Sequence, residues 1–249
     1  MKNTITSLLL ILLSCSLQAQ NKVDEIMYKA YLSDADATAA WKSAVEMRMA
    51  ALGLDEKSSK ARFGVALAQF GLLSSTMRWQ NEDLFDEYYK DTEKNLEEII
   101  EADKKWAEPY ALLSAIYGLK MGYSPLQAMF LGGKSNNLIE KAKKLDPTSP
   151  LAWKVLANAK FFTPTAFGGD IDESIEAYEK CIALYEARPE LLKQNWMYLD
   201  ALAFMGQAYM KNGDAGKAIA VYEKALAAEP EFGWVKFVLL PKAKSKTAK

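Results

Sequence analysis

At 249 residues, half of them hydrophobic and a quarter charged, the chain can bury a substantial core as one large domain or a short repeat array. Lysine and arginine number 31 against 32 aspartates and glutamates, a formal net charge of -1, which argues against a generic nucleic-acid binder. The absence of histidine excludes histidine-based acid–base and nucleophilic catalysis and the usual catalytic zinc sites.

Residues 1–19 read as a leader outside the fold. Lys2 supplies a positive start, 5–13 an apolar run too short to span a bilayer, and 14–20 a small, polar exit. Two processing readings stand side by side. Cleavage after Ala19 releases a soluble protein, whereas the lipobox-like Leu12-Leu13-Ser14-Cys15 makes Cys15 a lipidated first residue. The predicted location is therefore periplasmic or secreted, or anchored to the outer membrane through Cys15. After cleavage at Ala19 Cys181 stands alone, so no intramolecular disulfide forms and the fold rests on packing.

The predicted folded region spans 22–240 as a single helical domain, with 241–249 a basic, disordered tail. Val23, Ile26, Met27, Ala30 and Tyr31 make one helical stripe and Ala40, Trp41, Ala44, Val45 and Met49 a second, a hairpin that starts the stack. Ser58 or Ser59 caps the next helix, buried through Phe63, Ala66, Leu67 and Phe70, with Gly71 placed for close packing. A helix over 84–103 follows a polar joint at 78–83.

Pro109 opens a helix carrying Tyr110, Leu113, Ser114 and Tyr117, and its partner is predicted over 135–145 with Ile139 and Ala142 inward. Between them lies a long joint, 121–134, with Pro125, Met129, Phe130, Gly132 and Gly133. The next pair runs from Pro150 to near Phe162 and from Asp172 to near Glu186, across a second joint at 163–170 with Pro164, Phe167, Gly168 and Gly169. The last pair starts at Leu199, turns at 211–214 and ends at Pro230, and Phe232 to Leu239 form a short capping helix.

In that last pair Leu202, Met205, Gly206 and Tyr209 fall at i, i+3, i+4 and i+7, and Ala218, Tyr222 and Ala225 face them. With Pro230, this spacing resembles the tetratricopeptide repeat, a 34-residue helix–turn–helix unit. Gly206 and Ala218 are small where the helices come closest, and Tyr209 and Tyr222 fill the space alongside. Upstream units match less closely and need insertions at the two Gly-Gly joints. The resemblance implies an all-α, right-handed α-solenoid of antiparallel helix hairpins with a concave groove for a peptide or protein. It also implies a scaffold or adaptor rather than an enzyme.

No Gly-x-Ser-x-Gly elbow or phosphate-binding glycine loop is present, and the acidic clusters on 82–101 read as solvent faces. No enzymatic activity, cofactor or metal is expected. Cys181 takes the repeat position of a small buried residue. The expected partner is a protein or peptide; two further readings are a small-solute-binding module of a transport system and a structural spacer of an envelope assembly. The candidate apolar contacts are Met129, Phe130 and Phe167, on joints a rigid array holds in place. The candidate polar contacts are Asn158, Asn195, Gln207 and Lys211.

Overall fold

The structure is a computed structural model that describes residues 20–247. The leader, with Ala19 and Cys15, lies outside the described residues. Every regular element among the described residues is helical. α1 covers 20–32. It is followed by α2 (Thr38–Gly53), α3 (Ser59–Trp79), α4 (Glu82–Ala102), α5 (Ala107–Tyr123) and α6 (Ala128–Leu145). Then come α7 (Pro150–Phe162), α8 (Ile171–Glu186), α9 (Trp196–Lys211) and α10 (Ala215–Ala228). A π-helical turn at Trp234–Leu239 runs into α11 (Leu240–Thr247), and both cover α10.

Helices pair as neighbours along the chain: α3 with α4, α5 with α6, α7 with α8, α9 with α10. The first helix of each pair also touches the first helix of the next, which makes an inner layer of α3, α5, α7 and α9. Sequence explains the helix starts. Ser58, Asn81, Ser149, Asp170, Asn195 and Asp214 each accept a backbone N–H of the following first turn, and such a cap contributes about 1 kcal/mol.

Small residues set the distance within each pair. A Cβ on Gly206 would lie 2.2 Å from the Tyr222 ring, and Ala218 beside it is fully buried. The same register in the preceding pair holds Ala157 and Ser174, whose hydroxyl donates to the Ala157 carbonyl at 2.9 Å. In α5–α6 it holds Ser114 and Ser135, with hydroxyls 2.8 Å apart. Serine is thus admitted at a close approach because its hydroxyl is satisfied across the seam. Leu202, Tyr209, Tyr178 and Tyr222 are all buried, as the repeat spacing requires. Gly71 is likewise forced, since a Cβ there would meet the Trp41 ring at 2.0 Å.

Several boundaries differ from the sequence reading. The long joint at 121–134 is mostly helix: α5 runs to Tyr123, a 3-10 turn spans Pro125–Gln127, and α6 already begins at Ala128. Met129 and Phe130 therefore sit in the first turn of α6, and Gly132 and Gly133 are helical. A Cβ at either glycine meets nothing within 4 Å. Gly132→Ala and Gly133→Ala are therefore each expected to stabilise the protein by about 0.5–1 kcal/mol, read as an upward shift of the urea midpoint.

The second joint is a real loop, 163–170 as predicted, and needs its glycines. Gly168 has φ of 94°, and a Cβ on Gly169 would lie 1.8 Å from the Thr163 carbonyl oxygen. At the carboxyl end, the tail predicted to leave the fold at 241 continues as α11 to Thr247, with Ala243 buried. Pro241 is tolerated directly after the π turn, whose wider coil relieves the ring's clash with the carbonyl four residues back.

The ends of the array meet. Although α1 and α2 form the expected hairpin, tied by Arg48 to Asp24, α1 reaches the last pair. The Tyr31 hydroxyl donates to Asp200 Oδ1 at 3.0 Å and the Tyr28 hydroxyl to Glu229 Oε2 at 2.7 Å. Trp196 at the start of α9 is the hub, with Tyr31, Trp41 and Phe70 rings centred 5.5, 5.5 and 6.0 Å away. The core is continuous from Val23 to Ala243.

Candidate recognition surface

One stripe of α9 organises the inner face. Trp196, Asp200, Phe204, Gln207 and Lys211 recur at helical spacing, and Lys154, Asn158 and Phe161 do so on α7. At the deep end Lys154, only 3% exposed along its side chain, donates to Asp200 Oδ2 at 2.7 Å, while Tyr31 holds the other oxygen. Both carboxylate oxygens are thus satisfied away from water, which a buried ion pair requires. Burial, and then the Asp200 carboxylate, raise the Tyr31 phenol well above its ordinary pKa, so it stays a donor.

At the outer end Phe204 is met by Phe161, Phe162 and Trp234 at centroid distances of 5.9, 5.4 and 5.7 Å, edge to face. Phe162 is largely exposed, so this cluster opens to solvent beside the 163–170 joint.

The residues singled out from sequence separate by type. Met129, Phe130 and Phe167 are 82, 69 and 80% exposed. They stand where adjacent pairs turn, on one edge of the array, joined there by the exposed Leu126 and Phe162. The polar candidates mostly serve the fold. Asn195 caps α9, accepting from the Tyr198 N–H at 3.1 Å and donating to the Leu191 carbonyl at 2.7 Å. Asn158 accepts from the Tyr178 hydroxyl at 2.6 Å, and Lys211 donates to the Phe161 carbonyl at 2.9 Å. Gln207 differs: its Nε2 is buried and has no partner.

Missed in the sequence were Trp196, Lys154, Asp200 and Phe204. The signal is present, since 196, 200 and 204 repeat at i, i+4 and i+8, but it is lost when the helix is read from Leu199.

Reactive chemistry is absent from this face. Burial pushes the Cys181 thiol up to about 12, with Lys154 drawing it down less strongly, so the group stays a neutral packing element. Among the described residues no group of three or more histidine, cysteine or acidic side chains could hold a metal ion, and no helix is long and apolar enough to cross a membrane. Two open clefts of about 600 and 630 Å³ lie elsewhere, one against α2, α3 and α4 and one against α4, α5 and α6. Each is edged by charged side chains, Glu87 and Lys94 in the first and Glu101 and Lys141 in the second.

These features define a helical repeat array that offers recognition surfaces. Tetratricopeptide repeat models match residues 199–232 and 167–188, and the chain folds as a tetratricopeptide-like array of adjacent helix pairs. Its fold is similar to TTC0263, a thermophilic tetratricopeptide protein of Thermus thermophilus. The identity is 14%, the TM-score 0.57, and 86% of this chain and 93% of that one are covered. It is also similar to the HusA haemophore from Porphyromonas gingivalis, with 18% identity, a TM-score of 0.55, and 75% and 92% of the two chains covered. No curated protein matches the sequence.

Proposed function

We propose that the array is a non-catalytic recognition module that holds a protein or peptide through the edge where its helix pairs turn. The observation that carries this is the exposure of Met129, Phe130 and Phe167, with Leu126 and Phe162, on two adjacent turns. Isolated exposed apolar residues are ordinary, but five large ones gathered at the turns of adjoining pairs fit a contact surface. Methionine and phenylalanine suit it, being large and adaptable. The leader read in 1–19 gives this module its compartment, the bacterial envelope, and intact mass of the exported protein separates cleavage at Ala19 from lipidation at Cys15.

The test is a triple substitution, Met129→Ala, Phe130→Ala and Phe167→Ala, in the full chain. Because all three side chains face solvent, stability is expected to change by less than about 0.5 kcal/mol each. Partners captured from envelope extracts by the wild type are expected to be lost by the triple variant; unchanged capture removes the turn-borne reading. A second reading, capture of a planar solute, is supported by the open aromatic cluster of Phe161, Phe162, Phe204 and Trp234 and by the likeness to a haemophore. Saturable haem uptake that Phe162→Ala weakens, and the triple variant does not, selects it.

A further inference from the structure

The seat of α1 is the least expected feature of the molecule. α1 lies on the inner surface that the final pair would otherwise present, with Val23, Met27 and Ala30 buried. It is held by two phenol-to-carboxylate hydrogen bonds, Tyr28 to Glu229 and Tyr31 to Asp200, and by the Tyr31 ring against Trp196 and Phe232. We propose that this seat is a helix-binding site for which α1 is the built-in competitor. Its external occupant is an amphipathic helix of α1's own chemistry, with a Val-x3-Met-x2-Ala-Tyr face and hydroxyl donors aimed at Asp200 and Glu229.

Three observations support exchange. α1 joins α2 through the short segment 33–37, which lets it leave while the repeat pairs stay closed. Its ion pair to the body is imperfect: the Arg48 Nε is buried without a partner, and burial raises the Asp24 carboxyl more strongly than Arg48 lowers it. Finally, Lys154 still neutralises Asp200 when α1 is gone, so the vacated seat keeps its acceptor.

A competitor in the same chain taxes any external helix by the fraction of open molecules: a seat open about 1% of the time weakens an outside ligand about 100-fold. The probe is a fluorescent synthetic peptide of residues 20–37, titrated against the full chain with Cys15→Ser. Tyr28→Phe with Tyr31→Phe loosens α1 in place yet leaves Asp200 and Glu229 free for the tyrosines of the peptide. It is expected to bind at least about tenfold tighter to this variant than to the wild type.

A clip gives the converse. A Cβ on Gly233 would lie 2.9 Å from Asp34 Cγ, so Asp34→Cys with Gly233→Cys is within disulfide reach. The oxidised clip is expected to abolish peptide binding and reduction to restore it. Equal affinity for wild type and the Tyr→Phe variant, binding indifferent to the clip, or no binding to any form overturns the proposal. Amide exchange of the wild type is a readout free of substitutions: opening of 23–32 ahead of α3–α9 supports it, and opening only with the whole protein overturns it. This site lies apart from the turn edge and does not rest on that reading. The Met129, Phe130 and Phe167 substitutions leave peptide binding unchanged, so the two tests fail independently.

Discussion

Lys154→Met is expected to lower the unfolding free energy by about 3–5 kcal/mol, measured by urea denaturation. The ammonium is sealed from water and lies 2.7 Å from Asp200, itself largely buried. Methionine keeps much of the volume and length of lysine, so the loss is electrostatic. It leaves a carboxylate in a poorly solvated place with no counter-charge and the Tyr31 hydroxyl as its remaining hydrogen-bond donor.

A second variant separates that cost from a packing fault. Lys154→Met with Asp200→Leu removes both charges, and an apolar pair of similar size often matches a buried ion pair. The double variant is therefore expected to recover most of the loss, short of the hydrogen bond that Tyr31 forfeits, about 1 kcal/mol. A loss under about 1 kcal/mol for the single variant would mean that water reaches Asp200 in the folded protein.

The parts of this fold that a reader of the sequence can see are those in which one helix answers to its chain neighbour. Gly206 against Tyr222 and Gly71 against Trp41 pair neighbouring helices, and the caps at Ser58 and Asp170 follow from spacings of a few residues. Identical dipeptides mislead where the surroundings differ. Gly168-Gly169 precedes Asp170, whose carboxylate caps α8, and a positive φ there needs glycine. Gly132-Gly133 precedes Lys134, and α6 starts earlier with no side-chain cap at all, so the glycines are passengers in a helix.

Candidate site residues divide along the same line. Exposed Met129, Phe130 and Phe167 were visible as large apolar groups at turns, where local sequence is informative. Asn195 reads as a contact when the last pair starts at Leu199; α9 starts three residues earlier, at Trp196, which makes Asn195 its cap. No local pattern tells that Tyr31 and Asp200, 169 positions apart, share a hydrogen bond. That depends on how far four pairs curl, which accumulates from small rotations at each seam.

The curl is what Trp196→Ala would expose. Truncating a buried tryptophan costs about 3–5 kcal/mol, and here the missing ring faces Tyr31 from α1, Trp41 from α2 and Phe70 from α3 at once. In a plain repeat array each unit leans on its immediate neighbours, so a core truncation weakens one seam. Trp196 instead joins the first described hairpin to the last pair. Its loss is expected to uncouple them: amides of α2 should exchange well before those of α5–α8, which the wild type does not show, and the urea transition should broaden with a lower apparent m-value. Trp153→Ala is the contrast, because that ring is half exposed and its indole N–H reaches the Pro147 carbonyl within its own unit, 2.8 Å away. It should weaken the protein without broadening the transition. A single sharp transition for Trp196→Ala, with uniform exchange, would mean that each pair stands on its neighbours alone and that the meeting of the ends contributes nothing to cooperativity.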